Sequence, residues 1–160
     1  MQILENKETK MKNTFIKVIC LILFIIINTV TSININIYRL LEGTDTTILN
    51  FIISITFLVL WFLFSFYKGI KKERMFKKFI VVYWGINIFS TALIGVLLLA
   101  GFNPVLLLPF FIWFFGPLYG FDYILNLNIA QLILVTAPLG ILFSSLGHFF
   151  GLSLSESKYF

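Results

Sequence analysis

The chain has 160 residues, of which 59% are hydrophobic and only 12% charged, about half the charged share of an ordinary soluble domain. With a mean hydropathy of +0.99 it carries too little Lys, Arg, Asp and Glu to cover a water-facing surface, so a soluble fold is excluded and lipid is the expected solvent. The net charge of +5 does not indicate a nucleic-acid partner, because the basic residues flank apolar runs instead of alternating with aromatics on a polar surface.

A bilayer-crossing helix needs about 20 mostly apolar residues, and the chain offers five such blocks. Residues 1–17 are polar, with Lys7, Lys10, Lys12 and Lys17. The first block, 18–37, grows polar in its second half through Asn28, Thr29, Thr31, Ser32, Asn34 and Asn36. Asn28 is expected to face a neighbouring helix, and Asn34 and Asn36 to reach the outer headgroup region. From Met11, an alternative start, the run Met-Lys-Asn-Thr-Phe-Ile-Lys before an apolar stretch looks like the opening of a signal peptide. Residues 29–32 make a poor cleavage site, so a retained anchor helix is expected. Cys20 is the only cysteine. It can form no internal disulfide and is read as a small apolar residue.

A short polar loop, 38–47, carries Arg39, Glu42, Gly43 and Asp45, and Asp45 is expected to cap the next helix. The second block is 48–67. A basic loop, 68–78, follows with Lys68, Lys71, Lys72, Arg74, Lys77 and Lys78, half of the 12 Lys and Arg residues. The third block is 79–100, and Gly101-Phe102-Asn103-Pro104 then marks a turn with Pro104 at a first helical position.

The fourth block, 105–124, is apolar and aromatic but broken by Pro109, Gly116-Pro117 and Gly120. Such breaks survive in a membrane only where neighbours satisfy the freed backbone groups. A kinked fourth crossing is expected, and the alternative is a segment that enters and returns to the same side. After a link at 125–128, Asn128 and Gln131 resemble a capping box opening the last block, 129–150. The fold class is therefore all-α: a polytopic transmembrane helical bundle of five spans, or four plus a re-entrant segment, forming a single integral domain over 1–160.

Loop charge fixes the expected orientation. With the N-terminus cytoplasmic, Lys7, Lys10, Lys12, Lys17 and the whole basic loop lie inside. The expected location is a cell membrane, and the wealth of Ile, Asn, Lys and Phe points to an AT-rich bacterial source.

Two polar stripes stand out. Tyr83, Asn87, Thr91 and Gly95 recur every four residues in the third block, and Thr136, Gly140, Ser144 and His148 do so in the last. Residues at this spacing share a helix face, and small or hydroxylated side chains there suit close helix packing in lipid. They are read first as a packing seam and second as a polar path for a solute or ion. His148, the only histidine, lacks a carboxylate partner in its own helix and is read as a packing or interfacial residue. Asp122, beside Tyr119 and Tyr123, is read as marking a membrane boundary. Trp61, Tyr67, Tyr83 and Trp84 resemble an interfacial belt, whereas Trp113, mid-block, is expected to pack on a neighbour. The basic loop (Lys68, Lys71, Lys72, Arg74, Lys77, Lys78) is read as a topology determinant that also suits anionic lipid.

No phosphate loop, zinc-binding His-Glu-x-x-His, nucleophile elbow or Cys-x-x-Cys occurs in the sequence. No catalytic, cofactor or metal residues are assigned, no cofactor is expected, and the chain is not expected to be an enzyme. The leading expectation is an accessory, immunity-type or regulatory membrane subunit acting through helix–helix contacts. Its partners would be the bilayer and another membrane protein or a second copy. The alternative is a minimal transporter or channel component.

Overall fold

A computed structural model describes residues 2–42, 44–101, 107–127 and 129–157. Among these the chain is all-helical, without a strand. In order come α1 (Gln2–Glu42), α2 (Ile48–Ile70), α3 (Arg74–Leu99), α4 (Leu108–Phe115), a 3₁₀ segment (Gly116–Phe121), α5 (Asp122–Leu125) and α6 (Ile129–Ser157). Five stretches are long and apolar enough to cross a membrane: Phe15–Glu42, Ile48–Ile70, Met75–Ile94, Leu108–Leu125 and Gln131–Ser157.

The helices overrun the apolar blocks at several ends. The basic segment expected as a loop over 68–78 is helical except at 71–73, where Lys72 turns the chain with φ of 52°. Lys and Arg are good helix formers, so their charge sets depth without ending the helix. The cap of α2 is Thr47, not Asp45, which is exposed. Asn50 Oδ1, three residues on, accepts from the Thr47 backbone N–H at 2.9 Å and from its hydroxyl at 2.6 Å. The expected turn at Pro104 and cap at Asn128 lie outside the described residues. α4 instead has Pro109 in its first turn, where a missing N–H costs nothing.

α2 is the central element. It packs along α6 and against the 3₁₀ segment and α1. Contacts between named residues give each helix its direction. Phe24 of α1 stacks on Phe64 of α2, and Asn36 further along α1 meets Ser54, earlier on α2, so α1 and α2 are antiparallel. Phe76 meets His148 near one end and Trp84 meets Ser144 further in, so α3 and α6 are antiparallel. A Cβ at Gly147 would strike the Phe62 carbonyl and one at Gly151 the Phe66 carbonyl; α2 and α6 therefore run parallel.

Between α3 and α6 the chain makes no net passage along the bundle. Phe111 of α4 and Leu125 and Leu127 at the other side of the break pack on one cluster of Leu40, Phe115, Tyr119 and Leu132. Both ends of this broken segment thus lie at the end of the bundle that holds the α1–α2 connection. Its turn reaches inward, where Leu118 joins the main core of Ile25, Phe57, Leu58, Trp61, Phe76, Ile80 and Trp84.

Trp61 and Trp84, expected in an interfacial belt, are instead the two largest fully buried side chains, 0% and 1% exposed. Their rings meet at 5.3 Å. The parallel packing of α2 on α6 and the aromatic bridge from α2 to α3 draw both indoles inward. Tyr67 remains 53% exposed.

Candidate functional site

The inward turn of the fourth segment is held by polar side chains from α1 and α2. Pro117 has no N–H, and the backbone tightens into a 3₁₀ segment at Gly116–Phe121, leaving carbonyls without helical partners. Asn36, fully buried, aims its amide Nδ2 at them: Gly116 O lies at 3.0 Å and Pro117 O at 3.2 Å, with Ser54 Oγ at 3.3 Å. Ser54 Oγ donates to Pro117 O at 2.7 Å and accepts from the Gly120 N–H at 3.1 Å. That N–H would bond the Gly116 carbonyl if the helix simply continued. A Cβ at Gly120 would overlap the Asn50 carbonyl, so only glycine lets α2 come this close.

The amide orientations follow from one fixed donor. The Thr47 backbone N–H can only donate, so Asn50 presents Oδ1 to it. Asn50 Nδ2 is then free to donate to Ile35 O at 3.1 Å and to Asn36 Oδ1 at 3.0 Å. That leaves Asn36 Nδ2 facing the broken segment. This chain of amides contains no ionisable group. Its chemistry is to satisfy backbone carbonyls inside an apolar bundle, where an unpaired one would cost about 1–3 kcal/mol.

The two polar stripes turn inward. Asn87 is 1% and Thr91 5% exposed on α3; Thr136, Ser144 and His148 on α6 are all buried. Ser144 Oγ accepts from Trp84 Nε1 at 3.0 Å and donates to Gly140 O at 2.7 Å. A Cβ at Gly140 would overlap the Trp84 ring. Thr91 and Thr136 donate to carbonyls of their own helices, Asn87 O at 2.7 Å and Leu132 O at 2.8 Å. Among the described residues, Asn87 Nδ2 and His148 Nε2 are buried without a hydrogen-bond partner. Gly95 lies in α3, with its surroundings outside the described residues.

At the opposite end, Glu73 forms a clasp. Its Oε2 takes Lys68 Nζ at 3.1 Å and its Oε1 takes Lys17 Nζ at 3.5 Å. Its backbone carbonyl accepts from Phe76 N at 3.0 Å. One residue thereby ties α1, the end of α2 and the start of α3. Lys68 is buried and also lies 5.3 Å from the Phe64 ring centroid, so it faces inward. Lys71, Lys72, Lys77 and Lys78 are exposed, and the Arg74 side chain lies outside the described residues.

Other sequence candidates fall as follows. Asn28 Nδ2 meets Phe57 O at 3.4 Å. Asn34 is exposed, but Asn36 is enclosed by protein and does not reach headgroups. Cys20 is exposed. Asp122, half-buried, opens α5 at the end holding the α1–α2 connection. Trp113 packs on the main core.

Asn50, Ser54, Glu73 and the glycines of the α2–α6 seam (Gly69, Gly147, Gly151) carry no assignment from the sequence, and the place of Asn36 in the cradle replaces the one it was expected to take at the headgroups. Two signals lay in plain view. Thr47 and Asn50 have capping-box spacing, and Gly147 and Gly151 are four apart, the small-residue spacing of close helix pairs. No family model matches the chain, and no curated protein and no solved structure matches it either.

Proposed function

We propose that this protein is a non-catalytic membrane subunit that works through its outer helix surfaces and conducts nothing through its own interior. The observation that carries this reading is how the interior polar groups are used. Asn36, Asn50, Ser54 and Ser144 are tied to one another, to backbone carbonyls or to Trp84, and the space between α2 and α3 is filled by Trp61, Tyr83 and Trp84. A hydrophilic pathway needs polar groups left open to water. The bundle turns apolar side chains outward, most of all along α1, where Phe15, Ile19, Leu23 and Ile27 are exposed.

The accompanying topology has four crossings, α1, α2, α3 and α6, with the fourth segment entering and returning. Parallel α2 and α6 support it, since two crossings between them, α3 and the fourth segment, would make them antiparallel. Both termini then lie in the cytoplasm of a cell-membrane protein, and of the 12 basic residues only Arg39 falls outside.

The test is photo-crosslinking from α1 in the native membrane, with a crosslinker at Leu23 or Ile27, followed by mild-detergent purification of the tagged full-length chain. One protein captured from α1 in stoichiometric amount, and not from the exposed Val82 of α3, supports the subunit reading. Recovery alone, together with solute flux in liposomes, would overturn it in favour of a carrier or channel.

A further inference from the structure

The basic segment between α2 and α3 does two different things, and the structure separates them. Lys68 points inward and is neutralised by Glu73, the only acidic residue between Asp45 and Asp122. Both Glu73 oxygens are occupied, one by Lys68 and the other by Lys17. The outward lysines Lys71, Lys77 and Lys78 are all exposed, and among the described residues none of them is ion-paired with Glu73.

These three ammonium groups sit where the apolar helix surface begins. Lys71 Nζ lies 5.7 Å from the ring centroid of Tyr67, itself 53% exposed. Met75, 78% exposed, stands between the lysines, and Val81 and Val82 follow on α3 at 56% and 59% exposed. A cationic rim directly above an apolar wall, with an aromatic at the border, has the layering of a phospholipid leaflet in reverse. Anionic phosphate meets the lysines while acyl chain meets Val81 and Val82.

We propose that Lys71, Lys77 and Lys78 form a binding surface for the headgroups of anionic phospholipids, with Tyr67 and Met75 seated at the headgroup level. Each basic residue near an anionic membrane surface contributes about 1 kcal/mol, so loss of all three weakens binding roughly hundredfold.

The full-length protein in neutral-detergent micelles is titrated with dioleoyl phosphatidylglycerol or dioleoyl phosphatidylcholine, reading bound lipid by native mass spectrometry and the thermal midpoint. Phosphatidylglycerol is expected to bind and stabilise the wild type, and the triple variant K71Q/K77Q/K78Q to need roughly a hundredfold more of it. The variant K7Q/K10Q/K12Q, with the same loss of charge elsewhere, is expected to behave as wild type. If the triple variant does not fold, the single exposed substitutions Lys77→Gln and Lys78→Gln must each show roughly fivefold weakening. Equal response to the two lipids, or equal loss in both triple variants, would overturn the proposal. So would soluble polyglutamate binding through these lysines where phosphatidylglycerol does not, since the surface would then serve an acidic protein.

Discussion

At the scale of single residues, the glycines divide sharply. A Cβ at Gly120 would run into the backbone carbonyl of Asn50, whereas one at Gly85 would meet nothing within 4 Å. The first obstacle is main chain and cannot rotate aside. Gly120→Ala is expected to destabilise the bundle by about 1–3 kcal/mol through overpacking, while Gly85→Ala is neutral or stabilising by up to about 1 kcal/mol through helix propensity. Unfolding in a denaturing-detergent titration measures both, and equal midpoints for the two variants would remove the close approach at Gly120 from the account. Glu73 divides its partners in the same way. Lys17 is 59% exposed in its side chain and Lys68 only 6%. Lys17→Gln is expected to cost less than about 1 kcal/mol. Glu73→Gln, which strands the enclosed Lys68 charge, is expected to cost clearly more, in the range of about 1–3 kcal/mol by the same assay. Neither division is legible in the sequence. Gly85 and Gly120 are the same letter in similar apolar surroundings, and one Glu among lysines reads as a minor neutralising charge until Lys17, 56 positions earlier, arrives beside it.

At the scale of elements, the helices themselves were legible because apolar runs of about 20 residues can satisfy their backbones in lipid in few other ways. Their ends were less so. The central lysines read as a loop by charge yet remain helical, because charge alone does not break a helix. The fourth segment shows the limit most clearly. Pro117 and the glycines announce a break, but not which side chains repair it, since Asn36 and Ser54 lie 80 and 63 positions away from the groups they serve. Asn36→Leu removes the donor to two carbonyls and is expected to cost about 1–3 kcal/mol for each acceptor left dry. Ser54→Ala removes a donor to Pro117 O and the acceptor of the Gly120 N–H. Because the two side chains share Pro117 O, their effects are expected to be non-additive in a double-mutant cycle, with a coupling of about 0.5–3 kcal/mol. Strict additivity would mean that the break is held by packing alone.

At the scale of the whole molecule, the direction of α6 decides the architecture, and loop charge could not supply it because the C-terminal tail carries only Glu156 and Lys158. The direction comes from backbone contact. Gly147 lies against Phe62 and Gly151 against Phe66 and Gly69, so residue numbers rise together along both helices over the same turns. Reversing α6 would carry Gly147 and Gly151 to the far end of the bundle and bring Leu132 and Thr136, larger side chains, to a seam that accommodates only hydrogen at those places. It would also separate Ser144 from Trp84 and His148 from Phe76. The four-crossing reading therefore makes a directional prediction. A fluorescent protein fused after Phe160, which matures only in the cytoplasm, is expected to glow, and alkaline phosphatase at the same position to stay inactive. Phosphatase inserted at Thr44, in the α1–α2 connection, is expected to be active, as is a fusion truncated at Asn126, beyond the returning segment. Activity after Phe160 with none at Asn126 would require the fourth segment to cross, and with it an antiparallel α2–α6 pair. The variant Gly147→Leu links this outcome to its cause. It is expected to lower stability by about 1–3 kcal/mol while leaving every reporter on the same side, because charge orients the helices and close packing holds them once they are inserted.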